Sequence, residues 1–246
     1  MSADIPHLQQ LWVEAFGDSQ ETLDSFFTTG FSEDRFHCIK ENNVPVSALY
    51  WFDCQLKGHK LAYLYAVATA KEHRGKGLAQ RLMAQCHARL KELGYAGAIL
   101  VPSDKTLFGF YEKMGYRTAT TVTEFSCTWE DTPVALRELS PTEYANLRKT
   151  YLPPDSVLQE GATLAYLHTQ AQFYAGEDFL LTATVQADTL LVPELLGNIQ
   201  VAPHILRTLN TPKGAFRTVG TGRDFAMFLP LQPHCPHPGY FGLALD

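Results

Sequence analysis

The sequence lacks a long apolar run, an excess of basic residues and an apolar leader. Its longest apolar run, Leu61–Ala70, has ten residues, whereas a helix that crosses a membrane needs about 20. The 20 Lys and Arg residues are outnumbered by 26 Asp and Glu residues, which gives a net charge of −6. A general nucleic-acid-binding protein needs a basic surface. We therefore expect neither a membrane span nor nucleic acid as a partner, and the N-terminus predicts no signal peptide.

Cysteine is also scarce, and its spacing indicates neither a metal site nor a disulfide framework. The five cysteines are Cys38, Cys54, Cys86, Cys127 and Cys235. They are scattered, odd in number and free of C-x-x-C spacing, which favours reduced thiols in a cytoplasmic protein over a zinc site. We interpret each as a small core residue and expect no metal.

The composition is that of a globular chain with one large domain or two small ones. Hydrophobic residues make up 46% of the 246 residues and charged residues 19%, which excludes intrinsic disorder. The polar segment Glu130–Pro133 is interpreted as a boundary, because the pattern of elements starts again after it. We predict domains at residues 1–130 and 131–246.

The first half predicts an α/β fold with a mixed central sheet flanked by helices. Two amphipathic helices, Pro6–Phe16 and Glu21–Thr28, precede strands that end with the buried strand Leu61–Thr69. A long amphipathic helix follows from Leu78 to Leu93, with Gly94 suited to its C-terminal cap. The other elements predicted for this half are strands at Arg35–Lys40, Val46–Gln55, Ala96–Val101 and within Tyr116–Trp129, and a short helix at Thr106–Met114.

The second half repeats this order as a smaller domain, without sequence identity between the halves. A strand at Val134–Leu139 precedes a helix that Ser140 and Glu143 begin as a capping box. A second helix is predicted over Val157–Tyr174, and a last strand over Tyr240–Leu245. The elements predicted between them are strands at Phe179–Val185, Thr189–Val192, Phe216–Val219 and Phe225–Leu231, and a helix at Ala202–Leu209.

The segment after the buried strand has the composition of an anion-binding site. Arg74-Gly75-Lys76-Gly77 leads directly into the helix that begins at Leu78. Glycines permit a tight turn and a close approach of the backbone to a ligand. The unpaired N–H groups and the dipole of a helix N-terminus attract negative charge. The pattern is neither a Walker loop nor G-x-G-x-x-G, and a plain turn with solvated charges is the alternative interpretation.

Two motifs of the first half resemble those of the GCN5-related N-acetyltransferase (GNAT) superfamily. Arg74, Gly77 and Ala79 stand at the three defined positions of its R-x-x-G-x-G/A signature. Phe110–Tyr116 (FYEKMGY) is similar to the family's lYxkxGF segment, and the order of elements between the motifs agrees. The resemblance covers roughly Asp4–Trp129. It implies an acyltransferase that uses acetyl-CoA to acetylate a primary amine, carried by a small molecule or a peptide.

The resemblance also implies a role for individual residues. The backbone of Val67, Ala68 and Thr69 would pair with the pantetheine arm of acetyl-CoA. The segment that would hold the pyrophosphate consists of Arg74, Gly75, Lys76, Gly77, Leu78 and Ala79. Tyr111 would protonate the departing CoA thiolate after direct attack in a ternary complex, since no cysteine is placed by a motif as a covalent relay. A packing role for Tyr111 is the alternative interpretation. Asp104 stands where the family often has Asn, and a carboxylate accepts hydrogen bonds where an amide donates them.

The sequence does not identify the general base that an amine acceptor requires. Strand alternation would place Tyr63 and Tyr65 on one face with Val67 and Thr69. His37 and Asp53 on neighbouring strands are the other candidates, each with a structural role as the alternative. His87, in the helix after the glycines, is interpreted as a surface residue.

The second half contains no counterpart of the R-x-x-G-x-G segment, because Pro193–Gly197 stands where it would be. We interpret it as a degenerate GNAT-like domain that binds no CoA and shapes the acceptor side. Such a tandem resembles the larger enhanced-intracellular-survival type aminoglycoside acetyltransferases. In that type the C-terminal carboxylate acts as the base, so the terminus at Asp246 is a hypothesis here. A CoA-binding regulator without turnover, a structural module without cofactor and an enzyme for longer acyl-CoA remain alternatives.

Overall fold

The computed structural model describes residues 4–245 and divides the chain into two units, each built around one β-sheet. The first contains the residues up to Leu100, Asp104–Arg117 and Phe228–Pro236. The second contains Val101–Ser103, Thr118–Met227 and the residues from His237 onward. The units therefore alternate along the chain instead of meeting at one boundary after residue 130. They are also similar in length, so the second unit is not smaller.

The helices and strands have the following bounds. The helices are α1 (Ile5–Phe16), α2 (Gln20–Ser25), α3 (Leu78–Glu92), α4 (Thr106–Glu112), α5 (Pro141–Tyr151), α6 (Ala162–His168) and α7 (Ala202–Thr208). The strands are β1 (Phe36–Glu41), β2 (Val44–Leu56), β3 (His59–Thr69), β4 (Gly97–Leu100), β5 (Arg117–Thr118), β6 (Thr121–Thr128), β7 (Arg137–Leu139), β8 (Leu158–Gln159), β9 (Gln172–Ala175), β10 (Phe179–Gln186), β11 (Thr189–Gly197), β12 (Lys213–Val219), β13 (Arg223–Asp224) and β14 (Met227–Pro230). A π-helical turn covers Phe26–Gly30, and 3₁₀ turns cover Lys71–His73 and Ile199–Val201.

The sheet of the first unit is mixed, as the sequence predicts. Its strand order is β1-β2-β3-β4-β14-β5. β1, β2 and β3 are antiparallel neighbours, whereas β3 and β4 run parallel and are joined through α3. The strand from near the C-terminus, β14, lies beside β4, and this long-range insertion had no signal in the sequence.

Helices cover both faces of this sheet. On one face Leu8 and Leu11 of α1 pack against Ala48 of β2 and Ala68 of β3. Neighbouring residues of a strand point to opposite faces, and Trp51 of β2 lies on the other face, where its ring meets Arg89 of α3. Burial of each large apolar side chain contributes on the order of 1.5–3 kcal/mol. The two-sided cover explains why β2 and β3 read as nearly continuous apolar runs.

The sheet of the second unit repeats part of this topology. Its strand order is β13-β6-β12-β11-β10-β9-β7. An antiparallel pair, β10 and β11, is followed by α7 and then by β12, which runs parallel to β11. The same sequence of connections joins β2, β3, α3 and β4. Its core is formed by side chains from both layers, including Leu181, Leu190, Ile205, Leu206 and Phe216.

The helix predicted over Val157–Tyr174 is wrong. The segment instead contains β8, the short helix α6 and β9. Gly161, with φ +55°, is the N-cap of α6, and the helix ends at His168. Phe173 is fully buried and pairs with Thr182 of β10. The apolar spacing that favoured one long helix therefore comes from one helix and two strands, whose periods differ.

The strand predicted over Tyr240–Leu245 is also wrong. Tyr240 forms only an isolated bridge with Ser156. The backbone after Tyr240 is held by a side-chain hydrogen bond, in which Gln159 Nε2 donates to the carbonyl of Leu243 at 2.6 Å. Phe241 is fully buried, so the segment belongs to the core of the second unit without joining its sheet. Asp246 lies outside the described residues.

A buried ion pair links this terminal segment to α5 and β11. Arg148 donates from Nε and Nη2 to the two carboxylate oxygens of Glu194, at 2.6 and 2.8 Å. The hydroxyls of Tyr144 and Tyr240 donate to the same carboxylate at 2.9 and 3.1 Å. Each carboxylate oxygen thus accepts two hydrogen bonds, which offsets the desolvation of the buried charges. Within residues 4–245, no helix is long and apolar enough to span a membrane.

Candidate active site

β3 and β4 pair over a short stretch and then separate. The paired residues run from Leu61 with Gly97 to Tyr63 with Ile99. β3 continues to Thr69, whereas β4 ends at Leu100. Among the described residues, no strand pairs with the β4-facing edge of β3 beyond Tyr63. An exposed strand edge presents backbone N–H and C=O groups to an extended ligand.

A β-bulge lies in the unpaired part of β3. Tyr50 pairs with Tyr65 and Ala48 with Ala68, so one residue of β2 faces two of β3. Ala66 has φ +50°, a left-handed backbone that stores about 1–3 kcal/mol of strain in a residue with a Cβ. Bulges bend a strand and strengthen its twist. The bulge therefore lies in the part of β3 that does not pair with β4. Its position carries alanine, so the sequence has no glycine there that would have indicated it.

The bulge changes which residues share a face of β3. Tyr65 and Ala68 now lie on one face, because their partners on β2 are two residues apart. Thr69 lies on the other face, so the predicted alternation from Tyr65 to Thr69 is wrong. Its physical cause is the extra residue of the bulge, which reverses the period of two.

The backbone directions at the end of β3 follow from its bonds to β2. The N–H of Ala70 donates to the carbonyl of Val46 at 2.9 Å. In an antiparallel pair such bonding residues alternate, so the backbone groups of Ala68 also point to β2. The carbonyl of Val67 and both groups of Thr69 consequently point to the open edge. The predicted cofactor contact through the Ala68 backbone is not supported by this direction.

The glycine segment turns the chain from β3 into α3. Gly75 and Gly77 have φ +74° and +75°, and α3 begins at Leu78 as predicted. The first intrahelical bond runs from the N–H of Arg81 to the carbonyl of Gly77 at 3.1 Å. The N–H groups of the helix residues before Arg81 have no intrahelical partner. The Nε of Arg74 donates to the carbonyl of Thr69 at 2.9 Å, which ties the segment to the end of β3.

A cavity of about 290 Å³ lies at this junction. It is lined by Thr69, His73, Arg74, Gly75, Gly77, Leu78, Ala79, Gln80 and Phe110. Six of the predicted cofactor-binding residues are among these, while Val67, Ala68 and Lys76 are not. His73, Gln80 and Phe110 were missed by sequence reasoning. The signal for Phe110 was its place beside Tyr111 in the second motif, whereas nothing in the sequence pointed to His73.

Tyr111 lies on α4, beside Phe110 of the cavity wall. Its side chain is 8% exposed, and its ring contacts the rings of Phe110 and Tyr116. Burial raises the pKa of Tyr111 to about 12, so its hydroxyl is protonated at neutral pH. No described residue forms a hydrogen bond with this hydroxyl. Tyr111 therefore retains a proton that it can donate to a ligand.

Asp104 organises the start of α4. Its carboxylate accepts a hydrogen bond from the N–H of Thr106 at 2.7 Å and another from the hydroxyl of Thr106. These bonds lower the pKa of Asp104. The side chain therefore bonds the backbone at the first residue of the helix that carries Tyr111.

The structure separates the strand candidates for the general base from the cavity. Asp53 accepts a hydrogen bond from the hydroxyl of Tyr95 and pairs with Ala62, near the opposite end of β3 from Thr69. His37 is half-buried and shares a hydrogen bond of 3.2 Å with Gln85. Neither side chain is among those that line the cavity.

The other two candidates, Tyr63 and Tyr65, lie in packed surroundings, as does His87. Tyr65 and Tyr63 are in ring contact with each other and with Phe52. The predicted surface position of His87 is wrong, because its Nε2 lies 2.8 Å from the hydroxyl oxygen of Tyr116 and its ring is half-buried. Burial, with a smaller contribution from Lys91, lowers the pKa of His87 to about 4.

Sequence comparison assigns a family to the part of the chain that carries this geometry. The sequence model of the acetyltransferase (GNAT) domain family matches residues 1–119. Residues 1–119 therefore carry an acetyltransferase (GNAT) domain. The match includes the open edge of β3, the glycine segment and Tyr111. Members of the GNAT superfamily use acetyl-CoA. A search of curated proteins found no significant match to the chain.

Solved structures share the fold across nearly the whole chain. A GCN5-related N-acetyltransferase from Anabaena variabilis matches with a TM-score of 0.73 and 16% identity, over 94% of this chain and 71% of the other. One from Kribbella flavida matches with a TM-score of 0.69 and 16% identity, over 92% and 68%. Eis1 from Mycobacterium abscessus matches with a TM-score of 0.64 and 12% identity, over 94% and 73%. Identities this low are evidence for the fold alone.

Proposed function

We propose that the first unit binds acetyl-CoA along the open edge of β3 and transfers the acetyl group to a primary amine. The observation that carries this proposal is the separation of β3 from β4, with the cavity of the glycine segment at its end. An extended pantetheine arm fits an unpaired strand edge, and a pyrophosphate fits a helix N-terminus. The strand edge and the helix N-terminus are neighbours, just as the pantetheine arm and the pyrophosphate are neighbours in acetyl-CoA.

The cofactor contacts follow from the backbone directions. The carbonyl of Val67 and the N–H of Thr69 would bond the amides of the pantetheine arm. The pyrophosphate would lie against the N–H groups of Leu78 and Ala79, where the helix dipole adds positive potential. Gly77 permits this approach, because the position of a Cβ there has no atom within 4 Å. Arg74 supplies charge beside the same cavity.

The reaction is direct attack of the amine nitrogen on the thioester carbonyl. The C–N bond forms, the C–S bond breaks, and the amine nitrogen loses a proton to solvent or to a base. The Tyr111 hydroxyl donates a hydrogen bond to the sulfur as negative charge develops on it. A phenol with a pKa of about 12 is a weaker acid than a thiol near 8.5, so this donation rather than a complete proton transfer is its main contribution. No cysteine lines the cavity, and no covalent relay is invoked.

The amine acceptor is assigned to a groove of about 700 Å³ in the first unit. It is lined by Ile5, Gln9, Asp24, Phe27, Thr28, Phe31, Ser32 and Glu33. Two carboxylates, two phenylalanine rings and no cation make this lining favourable for an ammonium group. The Phe27 ring lies 6.2 Å from that of Tyr50, and Tyr50 pairs with the residue before the bulge. The groove thus contacts, through Phe27, the strand that pairs with β3.

The second unit is assigned as a degenerate GNAT-like domain without a CoA site. Its β11 and β12 remain paired as far as Leu195 and Thr218, which leaves no open edge between them. The turn before α7 has an internal cap, since Asn198 Oδ1 accepts the N–H of Gln200 at 3.0 Å. A role for this unit in shaping the acceptor side, and for the terminus at Asp246 as base, stays a prediction, as does the cytoplasmic location.

Thermal unfolding with acetyl-CoA tests the cofactor site. A ligand that binds only the folded state stabilises it by about 2.7 kcal/mol at 100 times its Kd. The Gly77→Glu variant is expected to lose the shift, because a side chain and a negative charge enter the pyrophosphate site. Gly17→Glu is the matched control, since Gly17 has φ +72° and open space around it but caps α1. It should carry the same backbone strain and keep the shift.

Turnover is then measured as release of the CoA thiol with a panel of primary amines. A shift with turnover supports the proposed reaction, and a preference for longer acyl-CoA would revise the donor. A shift without turnover on any amine would favour a CoA-binding regulator. No shift in the folded wild type would contradict the cofactor site and leave a structural module.

A further inference from the structure

The buried Tyr116 and its half-buried partner His87 have no part in the proposed reaction. The hydroxyl of Tyr116 is fully buried and shares a hydrogen bond of 2.8 Å with Nε2 of His87. His87 lies on α3, whose N-terminus faces the cavity. Tyr116 follows α4, and its N–H donates to the carbonyl of Tyr111 at 3.2 Å. The bond therefore joins the helix at the cofactor site to the turn that holds Tyr111.

The ring of Tyr111 rests on this pair. Its centroid lies 5.9 Å from that of Tyr116, with the rings inclined by 68° in an edge-to-face contact. Phe110 is its other ring neighbour, at 5.2 Å. Since no described residue bonds the hydroxyl of Tyr111, packing alone sets the direction in which that hydroxyl points. A ring held in place by a hydrogen bond is a firmer support than one held by packing only.

We propose that His87 and Tyr116 are positioning residues that hold the Tyr111 hydroxyl toward the CoA sulfur. The inference rests on the proposed function. The bond to His87 fixes the Tyr116 ring, and the Tyr116 ring fixes the orientation of Tyr111. Burial keeps His87 neutral at neutral pH, as its lowered pKa of about 4 indicates, so the pair carries no charge that would compete for the thiolate. Small displacements of a donor reduce its effect strongly.

The test follows the thiol of bound CoA and needs no acceptor. The thiolate is titrated by its ultraviolet absorbance, with desulfo-CoA as the blank. A hydrogen bond from Tyr111 stabilises the thiolate and lowers its pKa. Tyr111→Phe is expected to raise the pKa of the bound thiol by about one unit, a tenfold change in ionisation constant. Tyr116→Phe and His87→Leu should raise it by a large part of that shift, while CoA remains bound.

Two further variants separate positioning from stability. His87→Gln restores a hydrogen-bonding group at the same place and is expected to return the thiol pKa to near the wild-type value. Leu90→Val weakens the core on the same helix without touching the pair, and should leave the thiol pKa unchanged. Circular dichroism establishes that each variant is folded.

The outcomes distinguish this inference from the proposal beneath it. Failure of wild-type protein to bind CoA would overturn the proposed function, and the inference with it. CoA binding with an unchanged thiol pKa in Tyr116→Phe and His87→Leu would overturn the positioning role alone. An unchanged thiol pKa in Tyr111→Phe would remove the premise that Tyr111 faces the sulfur.

Discussion

The two parallel strand pairs, β3 with β4 and β11 with β12, share a topology and differ in how far they remain paired. β3 leaves β4 after Tyr63, whereas β11 keeps β12 as far as Leu195. Both β3 and β11 contain an irregular register, at Ala66 and between Val192 and Leu195. A bulge is therefore not sufficient to open a binding edge. The early end of β4 is what leaves β3 exposed.

The helices that follow β3 and β11 also differ, in how the chain is hydrogen-bonded where each helix begins. α3 begins after Gly77, which provides no side chain to cap it. The chain before α7 is bonded by its own Asn198. The first N–H groups of α3 thus stay open to the proposed ligand, whereas the 3₁₀ turn that leads into α7 is capped by a side chain of its own. The proposed cofactor site therefore depends on strand pairing that the first unit leaves incomplete.

The largest expected effect comes from breaking the second unit alone. Arg148→Ala leaves the buried carboxylate of Glu194 without its charged partner. Loss of one member of a buried ion pair destabilises a protein by about 3–5 kcal/mol, to be measured by urea denaturation. The Kd of the folded protein for acetyl-CoA should stay unchanged, because the proposed cofactor site lies in the first unit.

The double variant Arg148→Met with Glu194→Leu is the control for this prediction. It removes both charges and should recover much of the lost stability. A weakened Kd in the folded Arg148→Ala protein would contradict the division of roles between the units.

Acid is expected to act on the first unit through His87 of α3. Its folded pKa of about 4 lies below the ordinary value of 6.5, so between these values the unfolded chain binds a proton that the native state does not. The stability from neutral His87 is therefore present above about pH 6.5 and lost as the pH falls toward 4. The loss amounts to up to about 3 kcal/mol.

Denaturation curves at several pH values measure this effect. His87→Gln should flatten the profile in that window. The same change at His204 of α7, which is half-buried and bonds the carbonyl of Thr132, is the control and should leave the profile in place. A profile unaltered by His87→Gln would argue against the buried bond to Tyr116.

The bulge at Ala66 offers a smaller test of the open edge. Ala66→Val places a branched side chain in a left-handed conformation and should destabilise by about 1–3 kcal/mol. Ala66→Gly removes the strain but adds freedom to the unfolded chain, so its net effect should stay within about 1 kcal/mol. Urea denaturation of the pair measures the difference. Equal stability of the two variants would show that the bulge is absent in solution.

The smallest effect is expected in the proposed acceptor groove. Asp24→Asn and Glu33→Gln each remove one exposed charge, a change worth about 0.2–1 kcal/mol. The KM for a cationic amine should rise by up to about fivefold, with kcat unchanged. Asp34→Asn is the control, since Asp34 is exposed but does not line the groove. An equal rise in the control would reduce the effect to net charge.

Much of the first unit was predictable because its signals are local. The apolar spacing from Leu78 to Leu90 marked α3, and the glycines before it marked the turn. The partial burial of His87 also has a signal in the sequence, since His87 lies four residues after Met83 and three before Leu90. His87 therefore lies on a part of the α3 surface that borders the buried face of the helix.

The open edge itself was not predictable, since it depends on pairing between distant segments. The end of β4 and the insertion of β14 beside it join residues more than a hundred positions apart. Ala66 carried no sign of its bulge because alanine ordinarily avoids positive φ. In the second unit, the tail after Tyr240 was predicted as a strand because its residues are mostly apolar. These residues are buried, but a side-chain hydrogen bond rather than sheet pairing holds their backbone.

Amide hydrogen exchange with and without acetyl-CoA tests the central claim most directly. Ligand bonds to backbone groups slow the exchange of the amides concerned, as secondary structure does. We predict slower exchange in peptides that cover residues 67–81 when acetyl-CoA is added, and no change in peptides that cover residues 193–206. Protection at residues 193–206, or none at residues 67–81 with the ligand bound, would contradict the assignment of the cofactor to the open edge of β3.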